Sequence, residues 1–195
     1  MVIFLKKLSN MRGIYKKMLI LTVIIVLAPI IGGIYGILND QLTYSISAEY
    51  YTKFKFHQFG LADSGKEAIF SNPRFEVSIV GIMATCWMGL LIGGILGFVG
   101  LIHKGHKRMF RITMKAILIT IAVTFFIGLI GFFYGKFYLN HANVDWWLPK
   151  NLIETEDFIA VGSMHNFSYI GGFIGLIFGI LYSINQKMIS EKRKM

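Results

Sequence analysis

Apolar positions in this 195-residue chain do not recur at a steady helical or strand period; they come in four long blocks. The windows 18–39, 77–102, 116–135 and 158–186 contain no Asp, Glu, Lys or Arg over 22, 26, 20 and 29 residues. About 20 apolar residues suffice to cross the hydrocarbon layer of a membrane as a helix. A helix is the natural element there, because it satisfies its backbone hydrogen bonds within one segment. Buried helices of a soluble protein would each carry a polar face, and these segments have almost none. The pattern predicts an all-α integral membrane protein, a four-helix bundle with transmembrane helices over the four windows.

The polar segments between the blocks differ in charge. Residues 1–17, 103–115 and 187–195 hold fourteen basic residues and one acidic residue, whereas 40–76 and 136–157 hold six basic and nine acidic. Basic flanks stay in the cytoplasm. Both termini and the middle loop are therefore expected inside, with the other two loops outside. The alternation has no violation, which supports an even count of spans. The size and layout fit a bacterial inner-membrane protein. The net charge of +10 is accounted for by these flanks, so nucleic acid is not an expected partner. Anionic lipid headgroups are the expected partner of the basic face, including His103 to Arg108.

The N-terminal stretch places Phe4, Leu8, Met11, Tyr15 and Met18 at spacings of four and three. That spacing suits a basic amphipathic helix on the inner leaflet; the rival reading is a frayed basic leader. The loop 40–76 carries eight aromatics. Its stretch 53–57 alternates like a strand, while Ser47 before Ala48-Glu49 resembles a helix cap; a short helix is favoured, with the aromatics packing on the bilayer interface. Asn72 is a candidate cap for the next helix, with Pro73 in the first turn and Glu76 complementing the dipole. Trp146 and Trp147 suit an aromatic belt. Glu154, Glu156 and Asp157 complement the start of the last span, and no metal site is assigned to them. Cys86, the one cysteine, is read as a packing residue within a span. No cofactor is expected.

Seventeen of the 21 glycines fall in the four windows. Small residues four apart give a flat stripe on which another membrane helix packs closely. Gly32 with Gly36 forms such a stripe, as do Gly89, Gly93 and Gly97, then Gly131 with Gly135, and finally Gly171, Gly175 and Gly179. Two stripes are enough to hold each hairpin together, so some stripes are expected to face another copy and drive a homo-oligomer. The stripes also align: "IGGIYG" at residues 31–36 matches "IGFFYG" at 130–135, and "MGLLIGGILG" at 88–97 matches "IGGFIGLIFG" at 170–179. The chain is therefore expected to be a parallel duplication of a helical hairpin.

Within the last span, "SMHNFSYIGG" brings His165 and Asn166 into an apolar run. Ionisable residues inside membranes usually face the protein interior and mark function. His165, Asn166, Tyr169 and, on the second span, Thr85 are the candidates for a ligand- or proton-responsive site; interhelical hydrogen bonding is the plainer role. No acid or second histidine in the spans supports metal binding, and no nucleophile constellation supports catalysis. The expected function is a non-enzymatic scaffold or sensor subunit of a membrane assembly, with a possible protein partner. An oligomeric channel or transporter for an ion or small solute is the alternative, and a lipid-acting membrane enzyme the third reading.

Overall fold

The computed structural model describes residues 2–63, 66–142 and 146–193, with the backbone alone for 2–12. Helix α1 runs over Val2–Ile46. A short helical stretch follows: α2 (Ala48–Tyr50), a π-helical turn (Tyr51–Lys55) and α3 (Phe56–Gln58). Then come α4 (Pro73–Gly100), α5 (His106–Phe137), a 3-10 turn (Leu139–His141) and α6 (Thr155–Lys192). Among the described residues, four helical segments are long and apolar enough to cross a membrane: Gly13–Ile46, Pro73–Gly100, His106–His141 and Thr155–Lys192.

The surface of these helices explains why they need lipid. Exposed large residues on α1 include Val26, Ile30, Ile34 and Leu38; on α6 they include Ile170, Phe173, Ile177 and Leu181. Each set recurs every three or four residues, so each helix turns an apolar stripe outward. An aqueous surface of that composition would be unfavourable, whereas lipid tails match it.

Helices α1 and α4 form one closely packed pair, α5 and α6 the other, and the two hairpins meet through sparser contacts. Glycine sets the closeness. All ten stripe glycines face the partner helix of their own hairpin. A Cβ on Gly32 would lie 3.0 Å from the Thr85 carbonyl oxygen, and one on Gly175 would lie 2.7 Å from that of Thr120. This corrects the expectation that stripes remain for a second copy: both members of each pair are spent inside the chain.

The last glycine of each longer stripe departs from pure backbone packing. A Cβ on Gly97 would meet side chains of α1 instead, 2.8 Å from Leu21 Cδ1 and 3.4 Å from Ile24 Cγ2. The helices diverge there, and branched aliphatic side chains fill the gap. Gly179 packs on two helices at once. Its Cβ would lie 3.1 Å from the Ala116 carbonyl oxygen on α5 and 3.2 Å from Leu96 Cδ2 on α4. It therefore serves the junction between the hairpins as well as its own hairpin. Cys86 packs as expected, its thiol 3.4 Å from the Pro29 carbonyl oxygen.

Two cores close the bundle. At the end bearing the basic loop, Leu21, Ile24, Leu96, Met109, Ala116, Ile117 and Leu176 interlock. At the opposite end Tyr50, Tyr51, Phe56, Val77, Val80, Phe158 and Val161 form an aromatic cap. The cap corrects the expectation that the aromatics of this loop pack on the bilayer interface. Tyr51 and Phe56 are completely buried; the chain turns back so that its rings cover the helix ends. Ser47 caps α2 by accepting from the Tyr50 N–H at 3.3 Å, and the strand-like alternation resolves into helix. Asn72 stands at the start of α4 with Pro73 next, but its side chain makes no capping bond.

Both ends of α1 lie beyond the charge-free window 18–39. Helix α1 continues seven residues past the charge-free window, through Asp40 to Ile46, because Asn39, Asp40 and Thr43 are roofed by the aromatic cap rather than released to water. At its other end the backbone is helical from Val2 in one piece with the span. The side chains of Phe4, Leu8 and Met11, on which the amphipathic reading rests, lie outside the described residues.

Candidate functional site

Beneath the cap lies a buried polar cluster. Helix α1 supplies Asn39, Asp40 and Thr43, the π-helical turn supplies Tyr51 and Lys55, and α6 supplies His165; all six are at most 7% exposed. Asn39 and Thr43 are one turn apart on the same face of α1. The Thr43 hydroxyl is 2.6 Å from the Tyr51 hydroxyl, and both are 3.4 Å from His165 Nε2. Thr43 also reaches back to the Asn39 and Asp40 carbonyls at 3.0 and 3.2 Å. The histidine ring lies face to face with Tyr50 and edge-on to Tyr51.

Charge is sparse but present. Asp40 accepts from the Asn39 amide at 3.4 Å and has no ion pair within 4.0 Å among the described residues. The Lys55 ammonium sits over three rings, 5.3 Å from the centre of Phe59, 5.7 Å from Tyr50 and 5.9 Å from Phe54. Burial pulls its pKa below the usual lysine value, and the nearby Asp40 charge works against that pull. Burial also pushes the Tyr51 phenol well above its ordinary value, and the Asp40 carboxylate adds to the rise. Tyr51 is therefore a neutral hydroxyl here.

Below the cluster, between the two hairpins, runs a cavity of about 90 Å³. Tyr35, Asn39, Asp40, His165, Ser168 and Tyr169 line its polar end. Thr85, Met88, Ile92, Ile121 and Thr124 form its walls, and Ala28, Gly93, Ile117 and Thr120 its far end. Four buried polar atoms there lack a hydrogen-bond partner among the described residues: Tyr35 OH, Asn39 Oδ1, Asp40 Oδ2 and Ser168 Oγ. Tyr35 and Ser168 are close enough to influence one another without reaching hydrogen-bond geometry.

The four candidates from sequence separate. His165 and Tyr169 share this site, and Thr85 lines its wall. Thr85 is no partner for His165, however, because its hydroxyl is placed at 2.8 Å from the Gly32 carbonyl and 2.7 Å from that of Gly81. Asn166 points elsewhere. It is exposed and borders an outer pocket of about 400 Å³ with Tyr50, Phe54, Trp146, Trp147 and Phe158. Asn39, Asp40, Thr43, Tyr51 and Lys55 were absent from the expectation. The available signal was the i,i+4 pair Asn39 and Thr43 flanking a carboxylate at the edge of an apolar window.

The acids before the last span are dispersed: Asp157 pairs with Lys136 at 3.3 Å. No group of three metal-ligating side chains occurs among the described residues. Comparison of the chain with known families, curated proteins and solved structures returned no match.

Proposed function

We propose that this chain is a non-enzymatic sensor of the bacterial inner membrane, with both termini in the cytoplasm, that holds a small molecule in the cavity between its hairpins. One observation carries the reading: four residues that line one cavity each hold a buried polar atom with no partner among the described residues. Leaving such a group unmade costs about 1–3 kcal/mol each, so an occupant that pairs with them is favoured. A membrane-embedded cleft that is mostly apolar with a few convergent polar groups is the usual form of a small-molecule site.

The closed ends favour sensing over conduction. The aromatic cap covers one end and the interlocked aliphatic core fills the other, which favours a held ligand over passage along the bundle axis. The basic loop and termini lie at the filled end, which supports a cytoplasmic placement for it. A channel or carrier remains the competing class.

The hairpins support the duplication. The alignment that lays Gly32 on Gly131 and Gly89 on Gly171 also lays contacts on contacts. Gly32 meets Thr85 while Gly131 meets Phe167; Gly36 meets Gly81 while Gly135 meets Ser163; Gly89 meets Ala28 while Gly171 approaches Ile127. Each residue in the second list is the aligned counterpart of its fellow in the first. The polar cluster breaks this likeness: the counterparts of Asn39, Asp40 and His165 are Tyr138, Leu139 and Met83. The site thus draws on both hairpins without repeating itself in either, as expected of a binding function added to a packing scaffold.

Single cysteines at Thr124 and Ser168, in a Cys86→Ser background, test the reading with membrane-impermeant thiol reagents. A sensor with a capped cavity labels slowly from both sides. Ready labelling of Thr124→Cys from either side of the membrane indicates a permeation path and transfers the protein to the transport class.

A further inference from the structure

We infer that the cavity selects a primary ammonium carrying a short apolar body, in preference to an alcohol or a carboxylate of the same shape. The inference rests on the reading of the cavity as a ligand site and names its ligand class. The decisive feature is the kind of atom left unpartnered. Asn39 Oδ1 is an acceptor only, and so is Asp40 Oδ2 when its carboxyl is ionised; Tyr35 OH and Ser168 Oγ can accept as well as donate. An ammonium brings three donors and no acceptor, an alcohol brings one donor, and a carboxylate brings none. Only the ammonium meets both pure acceptors with a donor left for a hydroxyl.

Charge points the same way. Asp40 is 2% exposed and has no cation within ion-pair distance among the described residues. A buried carboxyl that stays ionised needs a paired, hydrogen-bonded partner, and an ammonium ligand at this position would hold it ionised. Lys55 is near enough for the two charges to be felt, but its ammonium rests over aromatic rings instead. A ligand cation at Asp40 fills the closer position. The body of the ligand then lies against Met88, Ile92 and Ile121. An apolar cavity of about 150 Å³ takes benzene, so about 90 Å³ suits a chain of roughly four carbons.

The test uses the full chain in lipid nanodiscs, with empty nanodiscs as the partition control. n-Butylammonium, 1-butanol and butyrate are titrated by calorimetry at neutral pH. The expected result is saturable binding of butylammonium, with 1-butanol weaker by roughly tenfold or more and butyrate undetectable, since a hydrogen bond to a charged group is worth about 1.5–3 kcal/mol. Asp40→Asn, which keeps the shape, should erase the preference for the amine, and Ala84→Leu, which fills the wall, should abolish binding. The wild-type order of the three probes carries the test even if a variant misfolds. Equal or tighter binding of 1-butanol or butyrate in wild type overturns the ammonium inference while leaving an occupiable cavity. No saturable binding of any probe means that water alone pairs the four atoms, and overturns both.

Discussion

The His165 imidazole lies nearly parallel to the Tyr50 ring, 13° apart with centroids 5.2 Å distant. Tyr50 also borders the outer pocket that holds Asn166, Trp146 and Trp147. It therefore stands as a partition between that pocket and the polar end of the inner cavity. The side chain on which the sequence placed function and the aromatic loop thus meet through one ring.

Replacing that ring separates packing from partition. Tyr50→Phe keeps the stacked face and should change thermal stability in detergent by less than about 1 kcal/mol, since no hydrogen bond of the Tyr50 hydroxyl is seen among the described residues. Tyr50→Ala removes a fully packed aromatic and should cost about 3–5 kcal/mol. It should also open the cavity, so that Ser168→Cys reacts with a water-soluble thiol reagent in the Tyr50→Ala background and resists it in wild type. Equal reactivity in both would show that Tyr50 divides nothing.

The glycine stripes can be tested without bulky substitutions. At Gly175 an added methyl would sit 2.7 Å from the Thr120 carbonyl oxygen and 2.9 Å from its Cα. Those are backbone atoms, so α5 and α6 must part. Separation would also stretch the 3.0 Å bond from the Thr120 hydroxyl to the Gly175 carbonyl. Gly175→Ala should destabilise by roughly 1–3 kcal/mol. Gly94 has nothing within 4 Å of a built Cβ, so Gly94→Ala should be neutral or mildly stabilising, as alanine favours helix by up to about 1 kcal/mol. Calorimetric unfolding of the two variants in one detergent provides the comparison, and similar losses at both sites would sink the close-packing account.

Glu49 ties the two loops at the aromatic end. Its carboxylate accepts from the Ile153 and Glu154 N–H groups at 2.9 Å each and pairs with Lys53. Partial burial pushes its pKa up, but the Glu154 N–H, Lys53 and the Ile153 N–H outweigh that and hold it below the usual 4.5. A carboxyl with a depressed folded pKa stabilises fully above its unfolded value and loses that contribution as pH falls through the folded one. Amide-exchange protection at Ile153 and Glu154 should hold above about pH 5 and decline below 4.5. Glu49→Gln should show the low protection at neutral pH. Protection in that variant equal to wild type would remove the tie.

The spans were legible because lipid demands an unbroken apolar run, and nothing in tertiary packing can override that demand. The stripe glycines were legible because glycines four apart, such as Gly32 and Gly36, have little use on a membrane helix except close approach. The partners of the stripes were not, since a glycine does not name its neighbour. Gly97 against the side chains of Leu21 and Ile24, and Gly179 against both α5 and Leu96, continue their stripes in sequence yet meet surroundings of a different kind. His165 stood out as a polar residue in an apolar run. Asp40 and Thr43 did not, because a charge at the end of such a run normally marks the edge of the membrane. Only the return of Tyr51 and Lys55 over the helix end turns that edge into an interior, and this fold-back depends on contacts far apart in sequence. Asn166 illustrates the converse. It adjoins His165 in the chain, yet the helical step of about 100° per residue sends it to the other side of Tyr50.

The opposite end of the bundle offers a pH test outside the spans. His103 is completely buried in the loop between α4 and α5, with Nε2 3.0 Å from the Ser183 hydroxyl of α6. Burial lowers its pKa below the ordinary 6.5, and the positive charges of Arg108, Lys187 and Lys17 lower it further. Two of these cations are fixed close by: Lys17 donates to the Leu101 carbonyl at 2.9 Å and Arg108 to the Gln186 carbonyl at 3.0 Å. The fold thus prefers the neutral imidazole, while the unfolded chain takes up a proton near pH 6.5. Unfolding binds a proton that folding excludes, so stability should be full above that pH, fall as pH drops through 6.5, and level off once pH passes below the folded pKa. His103→Gln retains a side chain able to bond Ser183 and cannot titrate, so subtracting its pH profile of thermal stability from that of wild type should isolate this slope. Parallel profiles between about pH 7.5 and about 5 would mean that His103 is not the group held neutral by the fold.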